Sequence, residues 1–147
     1  TYRGELNLNS SAITWSSAMP RLRYLTNNGS ISALNSVFFG GSRTTPFYTS
    51  NFTESYEAFV NRGLVTTEGS LIWAKHFENT GQFTTGLGFG SISLQATNAV
   101  LSNGVFFAVN GGVTVSAGNL VITNHVLQVG RVLTLAATPP SSSSSTT

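Results

Sequence analysis

Cysteine and aspartate are both absent from this chain of 147 residues, and lysine occurs once, as Lys75. Without cysteine there is no disulfide framework, no thiolate metal site and no cysteine nucleophile. Without aspartate the acids reduce to Glu5, Glu54, Glu57, Glu68 and Glu78, scattered along the chain. Charged residues make up 8% of the sequence, against about 25% in an average globular chain. The polar surface must then come from Ser, Thr and Asn, which suit flat strands and exposed corners better than helices. No apolar run approaches the roughly 18 residues of a membrane helix, so no membrane insertion is expected.

The same scarcity limits chemistry. Arg3, Arg21, Arg23, Arg43, Arg62, Lys75 and Arg131 give a net charge of +2 but no stripe. A phosphate backbone asks for concentrated positive charge, so no nucleic-acid partner is expected. Glu54 and Glu57 share a face only if they lie on a helix, where a solvated surface is the simpler reading. β-Helix polysaccharide lyases and glycosidases gather several acids, Asp above all, for calcium or acid/base work. Glu68 and Glu78 flank one repeat and read as solubilising charge. His76 and His125 lack a third ligand other than a glutamate for a metal site. The glycines Gly86, Gly88 and Gly90 precede neither a lysine nor a helical pattern, so they read as a tight corner and not a phosphate cradle. No Gly-x-Ser-x-Gly elbow occurs. The expectation is a chain with no catalytic residue, no metal and no cofactor.

What the chain has is alternation. Apolar residues fall on every second position in Gly4–Asn9, Arg21–Leu25, Ser91–Ala96, Gly112–Ser116, Gly118–Thr123 and Gly130–Leu135, the pattern of strands with one buried face. Glycine or Asn-Gly punctuates the joins, read as corners that need a positive φ. Two phrases recur. Gly-Ser before an apolar residue stands at Gly69 and Gly90, loosely again at Gly118; Asn-x-Gly or Asn-Gly stands at Asn61–Gly63, Asn79–Gly81 and Asn103–Gly104. Irregular repeats near twenty residues predict the coils of a parallel β-solenoid. An antiparallel β-sandwich is the alternative, but a sandwich has no reason to repeat a corner phrase. The predicted core is Ile92, Leu94, Val113, Val115, Leu120, Ile122, Leu133 and Leu135.

The expected organisation is a solenoid over residues 1–137, interrupted by an insertion at about 40–61, with a Pro/Ser/Thr-rich tail or linker at 138–147. In the insertion, Asn51 with Glu54 three residues on has the form of a helix N-cap. Phe52, Tyr56, Phe59 and Val60 would share one face of a short helix, with an irregular strand as the alternative. Phe47, Tyr48, Phe52, Tyr56 and Trp73 are the candidates for stacking against a glycan or another subunit, the simpler reading being that they cover the core. Asn9, Asn28 and Asn51 fit the Asn-x-Ser/Thr glycosylation pattern.

The phrases Leu25–Ile31, Phe77–Gly81, Leu101–Val105 and Gly118–Leu135 resemble the repeats of filamentous-haemagglutinin-type β-helix proteins, large bacterial surface and secreted proteins. The resemblance implies a right-handed parallel β-helix, an extracellular or cell-surface location, and a structural or adhesive role without fixed catalytic residues. Partners would be copies of the chain or adjoining repeats of a longer parent, with surface glycans a further candidate. The competing expectation is a carbohydrate-binding or carbohydrate-processing β-helix of the tailspike or pectin-lyase kind.

Overall fold

Fourteen strands, and no helix, make up the residues described by the computed structural model, which are 5–8, 12–15, 22–33, 37–39, 55–85 and 90–137. They are β1 Glu5–Leu8, β2 Ala12–Trp15, β3 Tyr24–Asn27, β4 Ser30–Ala33, β5 Val37–Phe39, β6 Tyr56–Asn61 and β7 Leu64–Thr66. There follow β8 Ser70–Asn79, β9 Gln82–Thr84, β10 Ile92–Ser102, β11 Val105–Ala108, β12 Val113–Thr123, β13 Val126–Val129 and β14 Leu133–Ala137. One sheet runs β1-β3-β6-β8-β10-β12-β14, with β5 also on β8; the other runs β13-β11-β9-β7-β4-β2. Every pairing is parallel. The fold is an all-β parallel β-solenoid, and the antiparallel sandwich is excluded.

Each coil is one residue column deep. Phe59, Phe77, Ala99 and Leu120 stand in register on successive strands, so neighbouring coils span 18, 22 and 21 residues. The long strands bend once. In β10 the inward residues are Ile92, Leu94 and Ala96, then Ala99 and Leu101. The three-residue step leaves Thr97 and Asn98 both outside, which no straight strand of period two allows. The same slip occurs at Lys75–His76 and at Gly118–Asn119. The segments Gly112–Ser116 and Gly118–Thr123 are therefore one bent strand, and Gly118 is a bend residue inside β12, not a third member of the Gly-Ser corners.

The insertion splits such a strand. Val37–Phe39 pairs with Ser70–Ile72, and Tyr56–Asn61 pairs with Ala74–Asn79. Where the next coil has the single residue Trp73, this coil has residues 40–55. The helical face expected across Tyr56, Phe59 and Val60 is replaced by strand β6, with Tyr56 and Phe59 inside and Val60 half-buried. A helix there would have left the inner edges of β3 and β8 unpaired, and a ladder on both sides outweighs local propensity. The N-cap at Asn51–Glu54, the rest of the insertion up to residue 54, the glycines at 86–89 and the tail at 138–147 lie outside the described residues.

Aromatic rings fill the middle of the stack. Phe39, Tyr56, Phe59, Phe77, Phe83 and Phe106 are fully buried and contact one another with centroids 4.8 to 6.4 Å apart. Tyr56 heads a column that continues as Ala74, Ala96, Ala117 and Ala137. One large ring is followed by four small residues. Ile92, Leu94, Val113 and Val115 are core, as their alternation predicts. Leu120 and Ile122 are only partly buried. Leu133 and Leu135 are 41% and 39% exposed, although they continue the columns of the fully buried Val113 and Val115. Parity sets their direction correctly; the last coil simply has nothing beyond it among the described residues.

The corner glycines have a different reason from the one expected. Gly63, Gly81, Gly90, Gly104, Gly112 and Gly130 have no positive φ; the described non-glycine residues that do are Asn103 (57°) and Asn124 (50°). A Cβ added at Gly63 would collide with the Gly29 carbonyl oxygen, and one at Gly81 with that of Gly63. Stacked strands lie about 4.8 Å apart, and at these corners the backbone leaves no room for a side chain.

Candidate functional site

Inside that corner runs a file of buried amides. Asn27, Asn61 and Asn79 occupy one column of the sheet, two residues after the inward Leu25, Phe59 and Phe77, so parity turns each amide inward. All three are fully buried. Asn27 Nδ2 donates to Asn61 Oδ1 at 2.8 Å, and Asn61 Nδ2 donates to Asn79 Oδ1 at 2.8 Å. The same amide groups reach the carbonyls of Leu64 and Gln82 on the following strands at 3.1 Å each. At the upstream end, Asn27 Oδ1 accepts from the Gly29 amide at 3.0 Å. Each rung donates in the same direction along the axis, so the ladder is polar from end to end.

The column then changes to Leu101 and Ile122. The last amide, Asn79 Nδ2, donates to the Gly81 and Val105 carbonyls at 3.2 and 3.4 Å, and in place of a next asparagine it meets His125, with Nδ2 2.9 Å from His125 Nε2. His125 stands in the corner position held by Gly104 on the coil before, one residue ahead of the register pair Val105–Val126, and its ring meets Phe106 edge-on at 5.1 Å. Acceptance at Nε2 requires the neutral ring with its proton on Nδ1. Burial pushes the His125 pKa down to about 4, opposed in part by the Val126 backbone.

The sign of the pH effect follows. Unfolded His125 titrates near 6.5, so between about 6.5 and 4 the unfolded chain binds more protons and stability rises with pH. Acidification through this window is expected to cost about 1–2 kcal/mol, the full shift being reduced for the ring's partial exposure. Urea titrations at pH 7.5 and 4.5 check it: the difference should shrink in His125→Gln. The Glu57 carboxyl is held below its ordinary range by its hydrogen bond to Lys75, and its contribution is lost as pH falls below the ordinary carboxylate value.

The outer face carries one ion pair and one histidine–glutamate contact among the described residues. Lys75 Nζ lies 2.8 Å from Glu57 Oε2 across two coils, and His76 Nε2 lies 2.8 Å from Glu78 Oε2 on the same strand. Asn119 Nδ2 donates to Asn98 Oδ1 at 2.7 Å. Glu68 is exposed at a separate corner. His76 faces outward and His125 inward, so the two histidines do not meet. Among the described residues no three His or Glu side chains gather to hold a metal.

The candidate contact residues fare differently. Tyr56 is fully buried in the aromatic core, and Trp73 is 2% exposed. Neither offers an open ring face to a sugar or a subunit, which corrects that expectation for both. Stacking needs one face free, and the fold uses these rings for packing. Phe47, Tyr48 and Phe52 lie outside the described residues, as do Asn9 and Asn51. Asn28 is exposed on the corner beside the ladder.

Composition alone places these asparagines at the surface. The signal that separates them is parity: an Asn two residues after a core apolar residue and two before a stacking glycine. No protein-family model, curated protein or solved structure matches this chain. The class it belongs to is set by the ladders themselves, a parallel β-solenoid with an internal asparagine ladder.

Proposed function

We propose that the chain is a non-catalytic structural module, a stack of coils in an extracellular fibre, adhesin or surface layer that continues end to end. The observation that carries this reading is the last coil. Leu120, Ile122, Leu127 and Val129 are half-buried against the core, and Leu133 and Leu135 are exposed beyond it. Among the described residues β13 and β14 each pair on one side only; a parallel strand edge of this kind is a template for a further strand, and an apolar face beside it favours burial. The outer face, where Ser, Thr and Asn stand beside exposed Val121, Val126 and Val132, gathers no cluster of acids.

Sedimentation velocity over a wide concentration range is expected to show association, with filaments in electron micrographs. The double substitution Leu133→Lys and Leu135→Lys is expected to hold the chain monomeric while the cooperative melt is kept. A chain that stays monomeric at every concentration sinks the reading. Turnover of any member of a broad panel of polysaccharides and esters would sink its non-catalytic part.

A further inference from the structure

We propose that His125 is a pH-operated latch: neutral, it ties the corner before β13 to Asn79 two coils away, and protonated, it leaves the interior and lets that corner open. The inference does not depend on end-to-end assembly. It rests on what surrounds the ring.

The corner is built to admit it. Between the columns Asn79, Leu101, Ile122 and Gln82, Val105, Val126, the coil of β8 and β9 has two residues, Thr80 and Gly81, and the next two coils have three. The added residue is the asparagine of positive φ, Asn103 or Asn124. After it comes Gly104 on one coil and His125 on the next. A Cβ on Gly104 would stand 3.0 Å from Asn79 Nδ2, and His125 Nε2 stands 2.9 Å from the same atom. The ring takes the place that a side chain at Gly104 would fill, and so reaches past a whole coil.

The group facing Nε2 is a donor and cannot become an acceptor. Asn79 Nδ2 also donates to the Gly81 and Val105 carbonyls, and Asn79 Oδ1 accepts from Asn61. Turning this amide over would set its oxygen against two carbonyls and its nitrogen against Asn61 Nδ2. Asn61 is held likewise by the Gly63 and Gln82 carbonyls, and Asn27 by the Leu64 carbonyl and the Gly29 amide. The ladder has one direction only. A proton on Nε2 would therefore set N–H against N–H, in an interior where an unpaired charge is costly.

No neighbouring charge offsets that cost. Residues 92–129, which hold β10 to β13, include no Glu, Lys or Arg. On β8, Glu78 meets His76 and Lys75 meets Glu57, both on the outer face. Arg62, at the same corner on an earlier coil, is exposed. Burial, and no nearby charge, lowers the His125 pKa.

What the ring holds is local. β13 pairs with β11 alone among the described residues, and the Val126 amide donates to the Gly104 carbonyl at 2.9 Å. Release of the ring leaves Val126–Val129 on that single ladder and uncovers Phe106, which packs against the imidazole at 5.1 Å.

Residue-resolved amide exchange on the full chain, corrected for its intrinsic pH dependence, tests the latch. A released ring binds its proton near 6.5 and the latched ring near 4. The open corner should thus become about tenfold more populated between pH 7.5 and 5.5. The Val126 amide should lose protection by that factor. The Leu64 amide, bonded to the Gly29 carbonyl at the same corner three coils earlier, should keep its own. His125→Gln has no proton to gain and should lose the pH dependence. His125→Gly, with the residue that the preceding coil has there, should fold and show low Val126 protection at both pH values. A pH-dependent loss at Val126 that persists in His125→Gln overturns the inference. So does a loss shared equally by Leu64, or a His125→Gly chain that does not fold, since either makes the ring a general support. Constant protection at Val126 in the parent chain removes the latch outright.

Discussion

Asn61→Ala is expected to lower the folding free energy by about 2–6 kcal/mol, from two polar groups orphaned at about 1–3 kcal/mol each. Asn61 is the middle rung: it accepts from Asn27 and donates to Asn79, all three fully buried. Its loss leaves Asn79 Oδ1 without its donor and takes Asn27 Nδ2 back to the Leu64 carbonyl alone. It also removes the donor to the Gln82 carbonyl. Asn98→Ala is the control. Asn98 meets Asn119 at an equally short distance but in solvent, where water replaces the partner, and its loss should cost under about 1 kcal/mol. Urea midpoints for the two variants, compared at equal m-value, give the contrast directly. Equal costs would mean that the ladder adds nothing that an exposed amide pair does not.

The contrast bears on why some of this fold was legible and some was not. Alternation in Ser91–Ala96 and Gly112–Ser116 announces strands with an inner face, because side-chain parity is a property of the strand itself. The register between coils is also legible at one corner, since Gly63, Gly81 and Gly104 follow one another in space as they do in the repeat. The bends were not. Lys75, Thr97 and Gly118 share no chemistry, and only the slip in burial shows that a corner lies there. The split strand was hidden for another reason. Tyr56–Asn61 has a periodicity that fits a helix locally, and it is the edges of β3 and β8, far away in sequence, that make it a strand. The ladder was hidden by residue type: asparagine is expected at surfaces, and only its position two residues from Leu25, Phe59 and Phe77 places it inside. His125 carried no sequence signal for its role, which exists because Leu101 ends the asparagine column and His125 stands in place of a next asparagine.

A loss of similar size is expected from Phe83→Ala, about 3–5 kcal/mol, the range for deleting a fully buried ring. Phe83 lies in β9, three residues long, and is fully buried. Its ring meets Phe39, Phe59, Phe77 and Phe106 at 5.7 to 6.3 Å, so it joins the coil before it to the coil after it across the interior. Three of those neighbours, Phe59, Phe77 and Phe106, belong to strands whose ladders fix their backbones on both sides, and they cannot close over the space left. Such a cavity keeps most of its cost, because relaxation is what reduces it. Phe83→Leu retains much of the volume and is expected to lose less, with the aromatic edge contacts, worth about 0.5–1.5 kcal/mol per pair, making up the difference. The stack also makes the loss communicable: in a solenoid each coil is held by its neighbours, so the melt of Phe83→Ala should broaden as the coils on either side uncouple. Calorimetry reads both effects at once. A sharp transition displaced by less than that of Phe83→Leu would show that the aromatic core is not what couples the coils.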